Sequence, residues 1–329
     1  MITIRRADID DIDAIMQFLN ENWKPGNIVA TDRSFYEWQF VFEGKVNCYI
    51  AIDETGKIYG TYGYILYNQS NHPDMSGCTW QVIKSDNPVL GLDLDNAAGS
   101  VIQPRYVVGT QITKKAQRIE KLHGRRICKL EHYYRLHPEM DYQIAEINEY
   151  ERPEIPDSGY RFREISTVHE MKEVISEEEL LAHIPAKDYY YITRRYFEHP
   201  VYRYRFWQIL DKDKGLPAVL ITRTVDQNDS KCLRIVDYYG DSALLSEITY
   251  AIDELMMEEG DEYVDVYSFG VPGEIYEKAG FLSCDENCKN IIPNYFHPFE
   301  RRNIDLITSD REVEGMRLFR GDGEQDRPG

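Results

Sequence analysis

The spacing of hydrophobic positions changes several times along the chain, from every second residue to every third or fourth. Residues 160–165 read Tyr-Arg-Phe-Arg-Glu-Ile and alternate between apolar and charged side chains, which is the pattern of a strand with one buried face. Residues 242–259 repeat their apolar side chains at helical spacing, and we predict one helix there. The apolar face of that helix is formed by Leu244, Leu245, Ile248, Ile252, Leu255 and Met256.

The predicted elements occur in the same order in the two halves of the chain. Each half gives a strand, two helices and three strands, followed by a helix, a strand, a helix and a strand. Between the halves, residues 150–159 hold two prolines, one glycine and four charged side chains, a composition typical of a linker. We therefore predict an N-terminal domain over 1–149, a linker over 150–159, a C-terminal domain over 160–298 and a C-terminal extension over 299–329.

Composition and charge narrow the class of protein. The 329 residues carry a formal net charge of −19, and residues 151–329 hold 37 acidic against 22 basic side chains. This acidity disfavours binding to nucleic-acid phosphates. Apolar runs fall short of the about 18 residues that a membrane span needs, and the pair Cys284-x-x-x-Cys288 lacks the second ligand pair of a zinc site. We expect a cytoplasmic protein that binds no metal, no nucleic acid and no membrane.

Residues 275–281 read Ile-Tyr-Glu-Lys-Ala-Gly-Phe, a short helix that leads into a strand. With the order of elements around it, this string resembles the GCN5-related N-acetyltransferase (GNAT) superfamily of acyl-CoA N-acyltransferases. The resemblance is strongest over 160–298 and extends to 1–140 as a second copy. It implies an α/β fold with an α+β mixed sheet, arranged as two tandem GNAT-like domains. Each domain would have a mostly antiparallel sheet with splayed central strands, flanked by helices.

The same resemblance implies a binding site for acetyl-CoA, the acyl donor, in the C-terminal domain. The pantetheine arm would lie along the strand at 233–238 as if it were an extra strand, and the N-terminus of the following helix would hold the pyrophosphate. The residues implied to bind this cofactor are Val236, Tyr238, Tyr239, Gly240, Ser242 and Ala243.

Tyr276 is the catalytic residue that the resemblance implies most directly. In many family members the corresponding hydroxyl protonates the departing thiolate of CoA. A general base would deprotonate the acceptor amine; Asp237 is our candidate, and Glu274 and His132 qualify by residue type. The alternative for Tyr276 is a tyrosine that only packs against the sheet, and for His132 a polar surface group.

Neither predicted domain keeps the complete phosphate-binding loop of the family. The C-terminal loop retains Gly240 but places Asp241 where an anion would approach, and an aspartate there is a favourable helix N-cap. The N-terminal loop at 85–92 also has one glycine and no basic residue. In that domain the fourth helix, within 118–124, carries an arginine or an isoleucine near the position of the family tyrosine. Which domain binds CoA, or whether either does, is left open.

The tail of the chain allows two interpretations. Residues 319–329 are polar and glycine-rich, which predicts a frayed terminus. Alternatively, the tail folds over the groove between the two predicted domains and offers Asp322, Asp326 or Arg327 to a polar substrate.

Together these features predict acyl-CoA-dependent transfer of an acyl group, acetyl by preference, to the amine of a small-molecule acceptor. The 25 tyrosines and the carboxylates favour an amino sugar or a nucleotide-linked sugar as this acceptor. The alternative is a catalytically degenerate GNAT-like binding or scaffold protein for a small metabolite or a partner protein. Transfer from aminoacyl-tRNA is disfavoured by the acidic charge, and a homodimer is left open.

Overall fold

The computed structural model describes residues 1–310, 313–323, 326 and 328, and it divides the chain into two compact units. Unit 1 comprises residues 1–127 with the described residues of 308–312 and 323–329. Unit 2 comprises residues 128–307 with the described residues of 313–322. Among the described residues, no helix combines the length and the apolar character that crossing a membrane requires.

The first part of the chain supplies most elements of unit 1. They are β1 (Thr3–Arg6), α1 (Ile12–Asn22), α2 (Ile28–Thr31), α3 (Arg33–Phe40), β2 (Val41–Phe42), β3 (Lys45–Val46), β4 (Cys48–Ile52), β5 (Ile58–Leu66), β6 (Met75–Val82), α4 (Leu90–Ile102), β7 (Val107–Gly109) and α5 (Lys114–Leu122).

In unit 1, strands β1, β4, β5 and β6 pair antiparallel in that order, and β6 then pairs parallel with β7. The parallel ladder is short, running from the pair Met75–Val107 to the pair Gly77–Gly109. Beyond Gly77 and Gly109 the two strands separate. We call the gap between them the unit 1 opening.

Helices cover both faces of the unit 1 sheet. Side chains alternate between the faces of a strand, and in β4 Ile50 packs with α1 whereas its neighbour Tyr49 packs with α4. Helix α1 buries Ile12 and Leu19 completely, and α4 does the same with Leu94. Each such side chain contributes about 1.5–3 kcal/mol of hydrophobic free energy, so the apolar stripes of the two helices hold them on opposite faces.

The rest of the chain begins with β8 and supplies the elements of unit 2, together with β17, which enters unit 1 at Thr308. They are β8 (Arg126–Leu136), β9 (Tyr160–Ile165), α6 (Val168–Val174), α7 (Glu177–Leu181), α8 (Tyr189–Ile192), a π-helical turn (Thr193–Phe197), β10 (Arg205–Asp211), β11 (Lys214–Gln227), β12 (Ser230–Tyr239), a 3₁₀ helix (Ser242–Ser246), α9 (Thr249–Glu259), β13 (Tyr263–Phe269), α10 (Gly273–Lys278), β14 (Leu282–Ser283), β15 (Tyr295–Phe296), β16 (Phe299–Glu300), β17 (Leu306–Asp310) and β18 (Leu318–Phe319).

In unit 2, strands β9, β10, β11 and β12 pair antiparallel in that order, and β12 pairs parallel with β13. This parallel ladder runs from the pair Leu233–Val264 to the pair Ile235–Val266. Beyond it the strands separate and leave a second gap, the unit 2 opening. Strand β8 pairs antiparallel with the far side of β13.

The two units repeat one arrangement: three antiparallel pairs, one short parallel pair, and an antiparallel strand beyond it. In unit 1 the last position is taken by β17, which pairs with β7 at Ser309 and Gly109. The predicted fold class is therefore confirmed, since each unit has a mixed, mostly antiparallel sheet with splayed central strands and flanking helices.

The predicted helix over 242–259 is divided into two helices in the structure. A 3₁₀ helix covers Ser242–Ser246, and α9 begins only at Thr249. Asp241 caps the first of them, because its Oδ1 accepts a hydrogen bond from the Ala243 amide at 2.9 Å. The N-cap predicted from the sequence is confirmed.

Residues 150–159, predicted as the linker, lie within unit 2 and are tied to it by hydrogen bonds. Arg152 Nε donates to the Leu136 carbonyl at 2.9 Å, and Ser158 Oγ donates to the Glu247 carbonyl at 2.5 Å. The compact units divide near residue 127, and the domain limits predicted from the sequence stay a prediction.

Candidate active site

The unit 2 opening begins at a bulge in strand β12. Ile221 on β11 pairs with Asp237, but the next residue, Thr222, pairs with Ile235, so Val236 is an extra residue on β12. A bulge bends its strand and takes the extra residue out of the regular ladder. The backbone of Val236 is therefore presented at the opening, at the position predicted to bind the donor.

A segment of the same chain lies in the unit 2 opening. We call residues 316–322 the C-terminal segment. Its strand β18 pairs antiparallel with β13 at Ser268 and Phe269, and the Gly321 amide donates to the Val236 carbonyl at 2.6 Å. The segment thus contacts both separated strands and uses the backbone acceptor that the sequence assigned to pantetheine.

Two glycines make this close approach possible. A Cβ at Gly321 would lie 2.3 Å from Tyr196 Oη and 2.8 Å from the Val236 carbonyl oxygen. A Cβ at Gly270, whose φ is +83°, would lie 1.9 Å from the Met316 carbonyl oxygen. Neither position has room for a larger side chain, so the fit between the segment and the opening is specific.

Buried charges hold the end of the segment. Lys187 Nζ lies 2.8 Å from Asp322 Oδ1 and 2.7 Å from Asp237 Oδ2. Asp237 Oδ2 also accepts hydrogen bonds from Tyr196 and Tyr239. Burial alone would lower the pKa of Lys187, but Asp237 and Asp322 raise it above its ordinary value. The predicted base, Asp237, is thus fully engaged within this buried cluster.

The predicted phosphate loop is also occupied by this segment. Arg317 Nη1 donates to the Gly240 carbonyl at 2.9 Å and to Ser242 Oγ at 2.7 Å. Burial and the Arg317 charge lower the pKa of His183, which contacts that guanidinium, to about 4. Tyr238 Oη donates to the Asp241 carbonyl at 2.6 Å. The loop residues predicted to bind CoA therefore lie together, but Gly240, Ser242 and Tyr238 form their hydrogen bonds with other residues of this chain.

Tyr276, the predicted general acid, is buried in the core of unit 2. Its hydroxyl donates to Ser268 Oγ at 2.9 Å, and its ring stacks on Tyr133 with the ring centres 4.6 Å apart. Burial raises the pKa of Tyr276 above its ordinary value. Its catalytic role stays a prediction.

The other two candidate bases have different surroundings. Glu274 is exposed on α10. His132 is buried, with Nε2 3.3 Å from Asp265 Oδ2, and its ring stacks on Tyr267. Burial lowers the pKa of His132. The expectation of a polar surface group at His132 is wrong, because the residue points into a buried ion-pair cluster that includes Arg234.

The expectation of a frayed C-terminus is wrong for the part of the tail that the structure describes. Phe319, Arg320 and Asp322 are buried in unit 2, and Asp326 is buried in unit 1. Arg327, the third side chain proposed to meet a substrate, lies outside the described residues.

The unit 1 opening also begins at a bulge. Thr61 pairs with Gln81 and Gly63 with Cys78, so Tyr62 alone faces two residues of β6, one of which is Thr79. Thr79 has a φ of +44°, which is strained for a β-branched residue. Such strain is stored preferentially at functional positions, and Thr79 lies two residues beyond Gly77, the last residue of β6 in the parallel ladder.

A polar cluster lies beside the unit 1 opening on the face covered by α4. His123 Nδ1 is 2.8 Å from Asp95 Oδ2, and Arg125 Nη2 approaches the same oxygen at 3.2 Å. Arg125 Nη1 lies 2.7 Å from Glu120 Oε2. The side chain of Asp95 is 5% exposed, whereas that of His123 is 17% exposed. The imidazole therefore reaches solvent while its carboxylate partner does not.

Two contacts connect this cluster to the unit 1 opening. A Cβ on Gly77, in the last parallel pair, would lie 2.6 Å from Tyr62 Oη. Burial raises the pKa of Tyr62 well above its ordinary value, and the nearby Asp95 charge adds to that effect. On the partner strand, a Cβ on Gly109 would lie 3.7 Å from Glu120 Oε1.

The N-terminus of α4 lies at the end of unit 1 where β6 ends. Its N-cap, Val89, makes no side-chain capping hydrogen bond. Asn87 accepts from the Val89 and Leu90 amides, and the next amides of the first turn stay available to an anion. A groove of about 950 Å³ adjoins it, and the charged side chains of its lining are two lysines, Lys57 and Lys84, and three carboxylates, Asp53, Asp86 and Asp93. In unit 2 the corresponding helix is capped by Asp241.

The tail also contacts unit 1, on the other face of its sheet. A Cβ on Gly323 would lie 2.4 Å from Ser76 Oγ and 3.2 Å from Thr110 Oγ1. Ser76 and Gly77 are neighbours in a strand and therefore point to opposite faces. Gly323 thus packs on the face away from Tyr62 and α4.

Comparisons with known proteins identify the fold. No protein-family model matches the chain, and no curated protein sequence matches it. A GCN5-related N-acetyltransferase from Anabaena variabilis ATCC 29413 is similar in structure, with a TM-score of 0.57 and 11% identity over 94% of this chain and 72% of that one. A conserved protein of Enterococcus faecalis V583, a probable N-acyltransferase, also has a TM-score of 0.57. The identity is 7%, over 93% of this chain and 72% of that one.

A third similar structure contains the GCN5-related glucosamine N-acetyltransferase region of a fungal multi-domain GH3 β-N-acetylglucosaminidase. Its TM-score is 0.54, at 13% identity over 94% of this chain and 38% of that one. At identities this low, the likeness concerns the fold alone. The chain has the GNAT fold, as the sequence predicted.

Proposed function

We propose that the protein is an acyl-CoA-dependent N-acyltransferase whose donor binds in unit 1. The observation that carries this proposal is the difference between the two openings. The unit 2 opening contains the C-terminal segment, whereas the unit 1 opening adjoins an uncapped helix N-terminus and a half-buried His–Asp pair. In this interpretation unit 2 holds the end of the chain and unit 1 carries the chemistry.

The residues of unit 1 fit the chemical parts of an acyl-CoA. The first-turn amides of α4 suit a pyrophosphate, because the positive end of the helix dipole stabilises an anion. Lys84 and Lys57, in the adjoining groove, suit further phosphate oxygens. The bulged end of β6 offers backbone groups to an amide-containing arm. The bound donor supplies an acyl group that is activated as a thioester.

We propose a small polar amine, preferably an amino sugar, as the acceptor. The support is compositional and comparative. The chain is rich in tyrosine and carboxylates, and the similar fungal β-N-acetylglucosaminidase has a region named a glucosamine N-acetyltransferase. Aromatic rings stack on the apolar faces of sugars, and carboxylates accept hydrogen bonds from hydroxyl and ammonium groups.

The first experiment measures acetyl-CoA binding by calorimetry and by thermal shift. At 100 times its Kd, a ligand adds about 2.7 kcal/mol to the free energy of unfolding. We expect Lys84→Glu to weaken acetyl-CoA binding about tenfold, because it replaces attraction with repulsion beside a phosphate. Lys45→Glu, at an exposed lysine elsewhere in unit 1, is the matched control and should bind normally. A wild-type protein that binds no acyl-CoA would contradict the proposal.

The second experiment measures thiol release from acetyl-CoA with a panel of amines that includes glucosamine. We expect at least one amine to increase thiol release over the rate without acceptor, and mass spectrometry to find the acylated product. Binding of acetyl-CoA without release for any amine would favour a binding or scaffold role instead.

A further inference from the structure

We infer that His123, oriented by Asp95, is the general base that deprotonates the acceptor amine. The inference rests on the proposed function and names a catalytic group for it. His123 follows directly after α5, and Asp95 lies within α4. The fold brings together two residues that are far apart in the sequence, in a cluster whose Glu120 side chain borders Gly109 of the last parallel pair.

The Asp95 carboxylate favours one tautomer of the imidazole. His123 Nδ1 lies 2.8 Å from Asp95 Oδ2, and a proton on Nδ1 faces this acceptor and leaves the lone pair on Nε2. A buried carboxylate that orients a more exposed histidine is the usual arrangement of a general base with its positioning group.

Asp95 is itself held in place by neighbouring groups. Arg125 Nη2 lies 3.2 Å from the same carboxylate oxygen, and Arg125 Nη1 lies 2.7 Å from Glu120 Oε2. Ser309 Oγ donates to Glu120 Oε2 at 3.0 Å. Asp95 contacts the His123 ring, and the groups around Asp95 are Arg125, Glu120 and the Tyr62 hydroxyl. These neighbours hold the carboxylate in place.

The proposed step balances as follows. His123 Nε2 takes a proton from the acceptor ammonium, which frees the nitrogen lone pair. That nitrogen forms a bond to the thioester carbonyl carbon, and the carbon–sulfur bond breaks. The second proton of the nitrogen passes to the leaving sulfur, so the products are an amide, a thiol and a protonated histidine, which returns its proton to water.

A structural role for His123 has to be distinguished from this catalytic one. A histidine after the last turn of a helix also stabilises that helix through its dipole. Loss of a purely structural residue would lower stability and acetyl-CoA binding together, and added imidazole would not restore either. Loss of a general base lowers the rate alone, and a free base can replace it.

The experiment is His123→Ala, assayed by thiol release with and without added imidazole. We expect kcat to fall about 100-fold or more, the usual contribution of a general base, with acetyl-CoA binding unchanged. Added imidazole should increase the rate of thiol release by His123→Ala at least about tenfold. His72→Ala, at an exposed histidine of the same unit, is the control and should keep wild-type kinetics.

A second variant tests the positioning group. In Asp95→Asn the imidazole loses the carboxylate that orients it, so we expect kcat to fall while the KM for acetyl-CoA stays unchanged. If Asp95→Asn fails to fold, His123→Gln tests the imidazole itself, because this variant leaves the buried carboxylate in place.

The outcomes separate this inference from the proposed function. An active wild type with an unaffected His123→Ala variant overturns the inference and leaves the proposed function standing. A loss of rate that imidazole does not restore, accompanied by weaker acetyl-CoA binding, also overturns it in favour of a structural role. An inactive wild type contradicts both.

Discussion

Asp261 is a buried carboxylate, and its charged form lowers the free energy of unfolding. It is fully buried between α9 and β13, and burial raises its pKa to about 7, with the nearby Glu259 charge adding to the effect. An aspartate with a raised folded-state pKa favours folding while it is protonated. Its contribution is fully present below the unfolded-state pKa of about 4 and is lost as the pH rises through about 7.

Asp261→Asn should therefore change the pH dependence of stability. The neutral amide removes the cost of burying a charge, on the order of 1–3 kcal/mol. We expect the variant to be more stable than wild type at pH 8, and its free energy of unfolding to fall less between pH 4 and pH 7. Urea unfolding at several pH values measures this, with Asp213→Asn at an exposed turn as control. Equal pH profiles for wild type and Asp261→Asn would contradict the assignment.

Tyr276→Phe tests the catalytic residue that the resemblance implied. Because its hydroxyl is buried on Ser268, we expect the variant to lose about 1 kcal/mol of stability and to change the rate of thiol release less than twofold. Stopped assays combined with thermal unfolding measure both quantities. A rate that falls strongly in a variant with a native fold would instead place the general acid in unit 2.

At the level of single residues, the sequence predicted what local chemistry determines. Asp241 was recognised as an N-cap because capping depends on residues two or three positions away. His132 was misplaced, because its burial depends on Asp265 and Arg234, which lie in other strands. The pair His123–Asp95 could not be found in the same way, since only the packing of α4 against the end of α5 brings these residues together.

The C-terminal segment fits the unit 2 opening only because Gly321 has no side chain. Gly321→Ala places a Cβ 2.3 Å from Tyr196 Oη and 2.8 Å from the Val236 carbonyl. We expect a loss of stability of about 1–3 kcal/mol, which is usual for overpacking a buried site. Gly99→Ala, in α4 with no atom near the added Cβ, is the matched control and should be neutral or slightly stabilising.

Differential scanning calorimetry of the two variants distinguishes a fixed segment from a loosely bound one. If Gly321→Ala is as stable as Gly99→Ala, the segment does not contribute to the folded state of unit 2. A lower transition temperature for Gly321→Ala alone supports the contacts that the structure gives it.

At the level of elements, periodicity predicted helices and strands well, but it could not predict which strands separate. The parallel ladders end at Gly77–Gly109 and at Ile235–Val266. Their ends follow from bulges in β6 and β12, which are features of strand pairing rather than of composition. The tail was misread for a related reason: its glycines and charges suit a frayed end, but they also suit a narrow opening lined by Val236, Tyr196 and Lys187.

At the level of the whole molecule, two observations favour unit 1 as the donor site: the distribution of acidic residues and the C-terminal segment in the unit 2 opening. Residues 151–329 hold most of the acidic excess, so a polyanionic donor would meet an unfavourable field in unit 2. The same unit holds the C-terminal segment against the backbone that the donor would use. Both arguments direct the donor to unit 1.

Hydrogen exchange with saturating acetyl-CoA tests this assignment directly. We expect one equivalent of acetyl-CoA per chain, with slower exchange in peptides that cover β6 and the start of α4, residues 78–93. Peptides that cover β12 and its loop, residues 233–243, should be unchanged, because Gly321 and Arg317 already hold their acceptors. If residues 233–243 gain protection while 316–322 lose it, the segment leaves on binding, and the donor site is in unit 2. The segment would then act as a plug that competes with the donor, and the catalytic assignment would return to Tyr276 and Asp237.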